Sequence, residues 1–278
     1  MTPAVKREIV RYAQGKHGLS QRRACRIVNL QPAIYRYCQK REENPAVRER
    51  LVQLAQCYPA WGYRPLGVRL RVEGFEVNRK RVLRLYREEG LKLRPKKRRK
   101  VVSIQRVKPP ETTGINQKWS MDFVSDKLSC GRRFRALTVI DVHSRECLAL
   151  EVDTSLSGER VVRVLERLRE TRGLPQVIQT DNGPEFTGCH LDSWGYRNQV
   201  KMFFIEPGKP VQNAHIESFN GRFRAECLNL EWFTSLNEAR SVIEDWRHCY
   251  NQIRPHSSLG NLPPTVWQAK QRENSHSN

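Results

Sequence analysis

The spacing of hydrophobic and polar positions changes character once along the chain, around Trp119. Before that point it is helical. "HGLSQRRACRIVNLQPAIYRYCQ" offers Ser20 as an N-cap, a helix with Ala24, Ile27 and Val28 facing inward, a break at Asn29 to Gln31, and Pro32 in the first turn of the next helix. That is helix-turn-helix spacing. A second set follows: Asn44 caps with Pro45 behind it, "WGYRPLGVRLRVEG" closes at Gly74, and Asn78 caps "RKRVLRLYREEG", which closes at Gly90. In this last helix Val82, Leu85 and Tyr86 form an apolar stripe, while Arg79, Lys80, Arg81, Arg84 and Arg87 cover much of the remainder. A helix so divided can pack on its neighbours and present cations to a groove.

From Trp119 onward short apolar or alternating segments take over. "KWSMDFVS", "RFRALTVIDV" and "CLALEV" read as three strands in a meander, and "GERVVRVLERLRE" as a helix with Val161, Leu165 and Leu168 on one face. "QVIQT" and "KMFFIEP" add two strands with a helix between them, and a further helix follows. This order predicts an α/β body around one mixed five-stranded sheet with flanking helices. In "EWFTSLNEARSVIEDWRHCYNQIRPHSSLG", Leu236, Ala239, Ile243 and Trp246 recur at helical spacing and read as core packing, and "QRENSHSN" reads as a disordered tail.

Charge sharpens this division. The chain carries a net +21, and residues 1–110 hold 29 Lys+Arg against 8 Asp+Glu, so the whole excess lies in the first 110 of 278 residues. Such asymmetry points to a polyanion-binding front attached to a body with a different task. "KLRPKKRRK", with seven basic residues between positions 92 and 100, reads as a tether that touches phosphates and marks the boundary. The longest apolar runs fall far short of the roughly 20 residues that cross a bilayer, and the N-terminus lacks the apolar centre of a signal peptide, so a cytoplasmic protein is expected. The eight cysteines are scattered without a CxxC pair or zinc-finger spacing and read as mostly buried thiols. The absence of a phosphate-binding glycine loop leaves P-loop nucleotide hydrolysis unsupported.

Three acids stand out against this frame. Asp122 lies inside the first strand, where alternation puts Trp119, Met121 and Phe123 on one face and Ser120 and Asp122 on the other. An acid there needs a partner. Asp181, in "IQTDNGPEF", ends the fourth strand where "NGP" turns the chain, a place where sheet proteins mount chemistry. In "NAHIESFNGRFRAEC" the helical period puts Ile216, Phe219, Phe223 and Cys227 on one stripe, with Glu217 and Arg224 on its flank and Glu226 roughly opposite Glu217. Thirty-five residues separate Asp181 from Glu217.

Carboxylates converging at one sheet edge repel one another unless a cation neutralises them, and oxygen-only ligands suit Mg²⁺ or Mn²⁺. Two such ions roughly 3.5–4 Å apart can activate a hydroxyl for in-line attack on phosphorus and stabilise the leaving oxygen. The plainer readings are an Asx-type turn for Asp181 and a solvated helix position for Glu217. Asp141 is a further strand-end acid, better read as bracing a turn, and Glu185 as packing at a helix start. His215 and His256 read as DNA-contacting or structural.

The segments "WSMDF", "TDNGPEF", the 35-residue gap, "NAHIESFNGRFRAEC" and "YNQIRPHSSLGNLPPTVW" together resemble the DDE transposases of the retroviral-integrase superfamily, specifically the second-frame product of a bacterial insertion sequence. "WGYRPLGVRLRVEGFEVNRKRVLRLYREEGL" is similar to that family's helix-turn-helix segment, and the resemblance covers most of residues 20–268. It implies an RNase H-like core, DNA strand cleavage and joining at element ends with two Mg²⁺ or Mn²⁺ ions, and Asp122, Asp181 and Glu217 as metal-binding triad. Arg224 would touch DNA near that site. The expected organisation is a helix-turn-helix-like segment over 1–43, a second DNA-binding helical segment over 44–91, a basic linker over 92–113, the catalytic domain with C-terminal helices over 114–268 and the tail over 269–278. Arg79, Lys80, Arg81 and Arg84 on the last front helix, and Lys96, Lys97, Arg98 and Arg99 in the tether, are the further DNA-contact candidates. Insertion-sequence ends, target DNA, further copies of the chain and an upstream-frame product are the expected partners. A DNA-binding regulator with an inactive body and an RNase H-type nuclease are the alternatives.

Overall fold

The computed structural model describes residues 1–36, 45–93, 112–183, 185–205 and 213–276, which divide into two compact units, Met1–Pro45 and Ala46–Asn278. The expected cap at Asn44 and the tether residues Lys96, Lys97, Arg98 and Arg99 lie outside the described residues.

The first unit is three helices, α1 (Pro3–His17), α2 (Gln21–Ile27) and α3 (Pro32–Arg36). Ser20 caps α2 through the Arg23 amide, and Asn29 in the left-handed region (φ 49°) makes the break before Pro32. Val10, Ala24, Cys25 and Leu30 form its core. Ile27, expected inward, is 67% exposed. The buried arc of α2 is centred between Ala24 and Cys25, which takes in Val28 and leaves Ile27 about 110° away on the helical wheel.

The second unit opens with α4 (Pro45–Cys57), α5 (Tyr63–Val72) and α6 (Arg79–Glu88). The Asn78 side chain caps α6 by accepting the Lys80 amide at 2.9 Å, and Val82, Leu85 and Tyr86 are buried as the stripe requires. Cys249 and Ile253 from the C-terminal helices pack against the same core. The second helical segment is therefore continuous with the body in packing, and the two belong to one compact unit.

The body is built on β1 (Lys118–Lys127), β2 (Arg133–Asp141), β3 (Cys147–Asp153), β4 (Val177–Thr180) and β5 (Lys201–Phe204), in the spatial order β3-β2-β1-β4-β5. The first three strands are antiparallel, and β4 and β5 run parallel to β1. Strand β1 is central, so both its faces are covered. On one side Trp119, Met121 and Ile178 pack with Val161 and Leu165 of α7 (Gly158–Arg172) and Trp194 of α8 (Cys189–Arg197). On the other, Val124, Ala136 and Ile140 pack with Ile216 and Phe219 of α9 (Ala214–Phe223) and Ile243 of α10 (Leu236–Gln252). The order of strands and the helices on both faces make this the RNase H-like arrangement. Helix α9 passes into a π-helical turn, Arg224–Leu228, before α10.

The tail differs from the sequence expectation. Helix α11 runs from Pro264 to His276, so the segment expected to be disordered from 269 is helical nearly to the end. Gln268 is buried, while residues 269–274 are exposed; once the first turns are fixed, good helix formers such as Gln, Lys, Arg and Glu extend the helix without a core contact.

Candidate active site

Strand pairing brings the first two acids together. Ser120 of β1 is the parallel partner of Gln179 of β4, so two residues further along both chains stand Asp122 and Asp181. Partners in adjacent strands share a face, and the face of Ser120 and Asp122 is the one turned to α9. Asp122 is held twice: its Oδ1 accepts the Phe123 amide and its Oδ2 accepts Asn220 Nδ2, both at 2.7 Å.

Burial pushes the Asp122 pKa up to about 6, and the carboxylates of Asp181 and Glu217 add to the rise against the lowering effect of the Phe123 and Asn220 hydrogen bonds. Asp122 thus feels both of the other acids.

Asp181 is exposed at the end of β4 and its Oδ1 accepts the Gly183 amide at 3.0 Å, which is an Asx turn. Asn182 donates to Ile205 O at 3.0 Å and ties this turn to the end of β5. Glu217 is exposed on α9, whose Ile216, Phe219 and Phe223 are buried against the sheet. The turn at Asp181 therefore also does the plain structural task, without removing the carboxylate from the sheet edge.

An all-carboxylate donor set that raises the pKa of its most buried member fits a hard divalent cation in kind. Among the described residues, no group of three or more His, Cys, Asp or Glu side chains is gathered closely enough to form a metal centre as it stands.

The neighbouring acids are committed elsewhere. Glu226 forms a two-bond ion pair with Arg254, and its pairing leaves Glu217 as the acid of this helix beside β1. Glu185 does not pack at a helix start, since α8 begins only at Cys189; it is hydrogen-bonded by Arg135, which holds its pKa below the usual carboxylate range. That guanidinium in turn lies 4.2 Å over the Phe123 ring, and Phe123 stacks on Phe186 at 4.8 Å. Asp141 is fully buried and accepts the amides of Asn116, His143 and Ser144, so it braces the β2 turn.

His215 is hydrogen-bonded to Arg145; packing around the ring and then the Arg145 and Lys118 cations push its pKa down to about 4. His256 is buried edge-on to Tyr250 and is structural.

The described DNA-contact candidates of α6 have partners within the helical front or face solvent. Arg79 donates to the Tyr63 hydroxyl at 3.1 Å, Arg84 to Glu88 at 3.3 Å, and Lys80 is exposed on α6. Arg81 is half-buried on the same helix. Arg224 is exposed and donates to the backbone carbonyl of Ser125 at 3.0 Å, which links the end of the helix that carries Glu217 to the strand that carries Asp122. Sequence reasoning missed Asn220, although its spacing of three residues from Glu217 on the polar flank of α9 was the available signal.

An RNase H-like sheet with Asp122 on β1 and Asp181 at the end of the neighbouring β4 places the protein in the integrase-core class. Comparison with known families agrees: models of the integrase core domain match residues 113–210 and 198–264, and one of an HTH-like domain matches residues 42–99. The chain is 47% identical over 258 residues to the insertion element IS407 uncharacterized 31.7 kDa protein of Burkholderia multivorans, covering 92% of this chain and 93% of that one. It is 45% identical over 273 residues to the insertion element IS476 uncharacterized 39.2 kDa protein of Xanthomonas euvesicatoria, covering 98% and 79%. The transposase InsF for insertion sequence IS3A of Escherichia coli is 24% identical over 268 residues, covering 88% and 93%. The chain belongs to the DDE transposases of bacterial insertion elements.

Proposed function

We propose that this transposase cleaves DNA strands at the ends of its insertion element and joins them to target DNA, with Asp122, Asp181 and Glu217 holding Mg²⁺ or Mn²⁺. The observation that carries the reading is the Asp122 carboxylate, fixed in the central strand and under the influence of the other two acids. A bound divalent pair supplies charge for the attacking and leaving oxygens of an in-line displacement at phosphorus. The chain's own contribution is to bind and orient. Asp122 is supported from both oxygens, Asp181 is fixed by its turn to the adjacent strand, and Glu217 projects from a helix anchored by its apolar stripe.

DNA is held by other parts. Arg79, Lys80, Arg81 and Arg84 of α6 meet phosphates or a groove, Lys96, Lys97, Arg98 and Arg99 meet phosphates, and Arg224 meets DNA beside the acids. Joining two ends calls for more than one copy of the chain, and an upstream-frame product is the further partner. No described helix is long and apolar enough to cross a membrane, in keeping with action on DNA in the cytoplasm.

The test is a strand-transfer assay on duplexes bearing the element ends with Asp122→Asn, Asp181→Asn and Glu217→Gln. Each variant is expected to retain duplex binding and lose metal-dependent nicking and joining; full activity in any one removes that residue from the triad. Wild-type protein that binds the ends yet never nicks them would favour a DNA-binding regulator, and preference for RNA:DNA hybrid over duplex would favour a nuclease.

A further inference from the structure

The polar flank of α9 is a single stripe: Asn213, Glu217, Asn220 and Arg224 follow one another at intervals of four, three and four residues, the spacing that keeps side chains on one helical face. Three of the four are bonded to β1. Ser120 Oγ donates to Asn213 Oδ1 at 3.0 Å, Asn220 Nδ2 donates to Asp122 Oδ2 at 2.7 Å, and Arg224 Nη2 donates to Ser125 O at 3.0 Å. The order of partners is the same on both elements, so the stripe runs along the strand. The lengths agree: eleven helical residues and five strand residues each span about 16 Å. Glu217 is the member of the stripe with no bond to β1 among the described residues, and it lies between the Asn213 and Asn220 attachments.

Asn220 is the attachment that reaches a carboxylate. Its remaining polar atom, Oδ1, is buried and accepts no hydrogen bond among the described residues. A buried amide left half-satisfied is a poor choice for packing alone, since an apolar side chain of the same shape carries no unpaired acceptor. What the amide provides, and an apolar residue cannot, is an N–H donor aimed at one oxygen of Asp122. A hydrogen bond to a carboxylate is stronger and more directional than one between neutral groups.

We infer that Asn220 is a positioning residue: its amide fixes the rotation of the Asp122 carboxylate and locks that carboxylate to the helix that carries Glu217, so the two acids are presented to a divalent cation in one geometry. The inference rests on the proposed function, because it takes Asp122 and Glu217 as metal ligands. Partners that orient metal ligands commonly change metal affinity or activity 10–100-fold when removed.

Asn220→Leu keeps the volume and removes both donor and orphan acceptor; in the full-length protein it is compared with wild type and Asp122→Asn. The measurements are the thermal midpoint, Mn²⁺ affinity by electron paramagnetic resonance titration without DNA, and the Mg²⁺ concentration that half-saturates strand transfer. Asn220→Leu is expected to melt no lower than wild type, to bind Mn²⁺ about 10–100-fold more weakly, and to need correspondingly more Mg²⁺, with the rate partly restored at high metal. A folded variant within twofold of wild type in both metal measurements overturns the inference. If Asn220→Leu does not fold, Asn220→Ser serves the same comparison: its hydroxyl stops one bond short of the amide nitrogen, so the same weakening is expected and wild-type affinity overturns the assignment. Asp122→Asn separates the two levels. An inactive Asp122→Asn beside an unaffected Asn220→Leu removes only Asn220, whereas an Asp122→Asn with normal Mn²⁺ binding and strand transfer removes the triad itself.

Discussion

Arg254 grips Glu226 from two atoms, Nε to Oε2 at 2.7 Å and Nη2 to Oε1 at 2.6 Å, and the two side chains are only 14% and 10% exposed. The bond joins the π-helical turn to the chain just beyond α10 and commits Glu226 to a structural pair. Removing one partner of such a pair strands a buried charge, at a cost of about 3–5 kcal/mol, whereas replacing both with apolar residues of similar size is often close to neutral. Arg254→Met and Glu226→Leu are each expected to lower the unfolding free energy by roughly that amount, and the double variant to recover most of it. Urea unfolding measures all three, and a single variant losing less than about 1 kcal/mol would show that the pair is not shielded from water.

Metal-free protein should be more stable without the Asp122 charge. The folded-state pKa of about 6 lies above the ordinary 3.8. Between those values the folded chain keeps a proton that the unfolded chain has released, so stability falls as pH rises from about 4 to about 6 and stays lower above that. With chelator present at pH 7.5, Asp122→Asn is expected to raise the unfolding free energy by roughly 1–3 kcal/mol, with little difference at pH 4. Saturating Mg²⁺ should reverse the ranking, because only the wild type gains from binding. Thermal melts at the two pH values check this, and equal stability at pH 7.5 would place the carboxyl in a well-solvated site.

The limits of sequence reading fall along a physical line. The five strands were legible because both faces of β1 and β2 are buried and the apolar residues mark them directly. Helical geometry alone separates Glu217 from Glu226, although Glu226 itself lies in the π turn Arg224–Leu228. What stayed hidden depends on pairings that no local period encodes. Arg135 meets Glu185 across 50 residues and Asn220 meets Asp122 across 98, so the local sequence points Glu185 to a helix start and gives Asn220 no role. Ile27 was misplaced for a local reason: a helix of seven residues has too few positions to define which arc is buried.

His256 should make the protein acid-sensitive. Burial first, then the cations Arg254 and Arg222, push its pKa down to about 3, and its Nε2 is buried with no hydrogen-bond partner among the described residues. A folded-state pKa below the ordinary 6.5 means the unfolded chain takes up the proton first. Stability is therefore lost progressively as pH falls from about 6.5 toward 3, at up to about 1.4 kcal/mol per pH unit. His256→Leu removes this dependence, so the difference in unfolding free energy between variant and wild type should grow steadily between pH 6 and pH 4. Parallel curves across that range would mean that His256 is protonated without cost.

The cations of α6 lead to a prediction in salt dependence. Arg79 and Lys80 are exposed in the first turn of the helix, and Arg79 is steadied by the Tyr63 hydroxyl and by lying 5.7 Å from the centre of that ring. Arg84 already has Glu88 as partner at 3.3 Å, which competes with any phosphate. On the proposed reading, deleting a cation that neutralises one phosphate reduces the slope of log affinity against log salt by about 0.9 and weakens binding to all duplexes alike. Arg79→Ala and Lys80→Ala are each expected to change the slope by about that amount, and Arg84→Ala by less. Fluorescence anisotropy on an element-end duplex and an unrelated duplex, across a salt series, separates the outcomes. Weakening confined to the element-end duplex would make these residues base readers, and an unchanged slope in both single variants would move the DNA surface away from the start of α6.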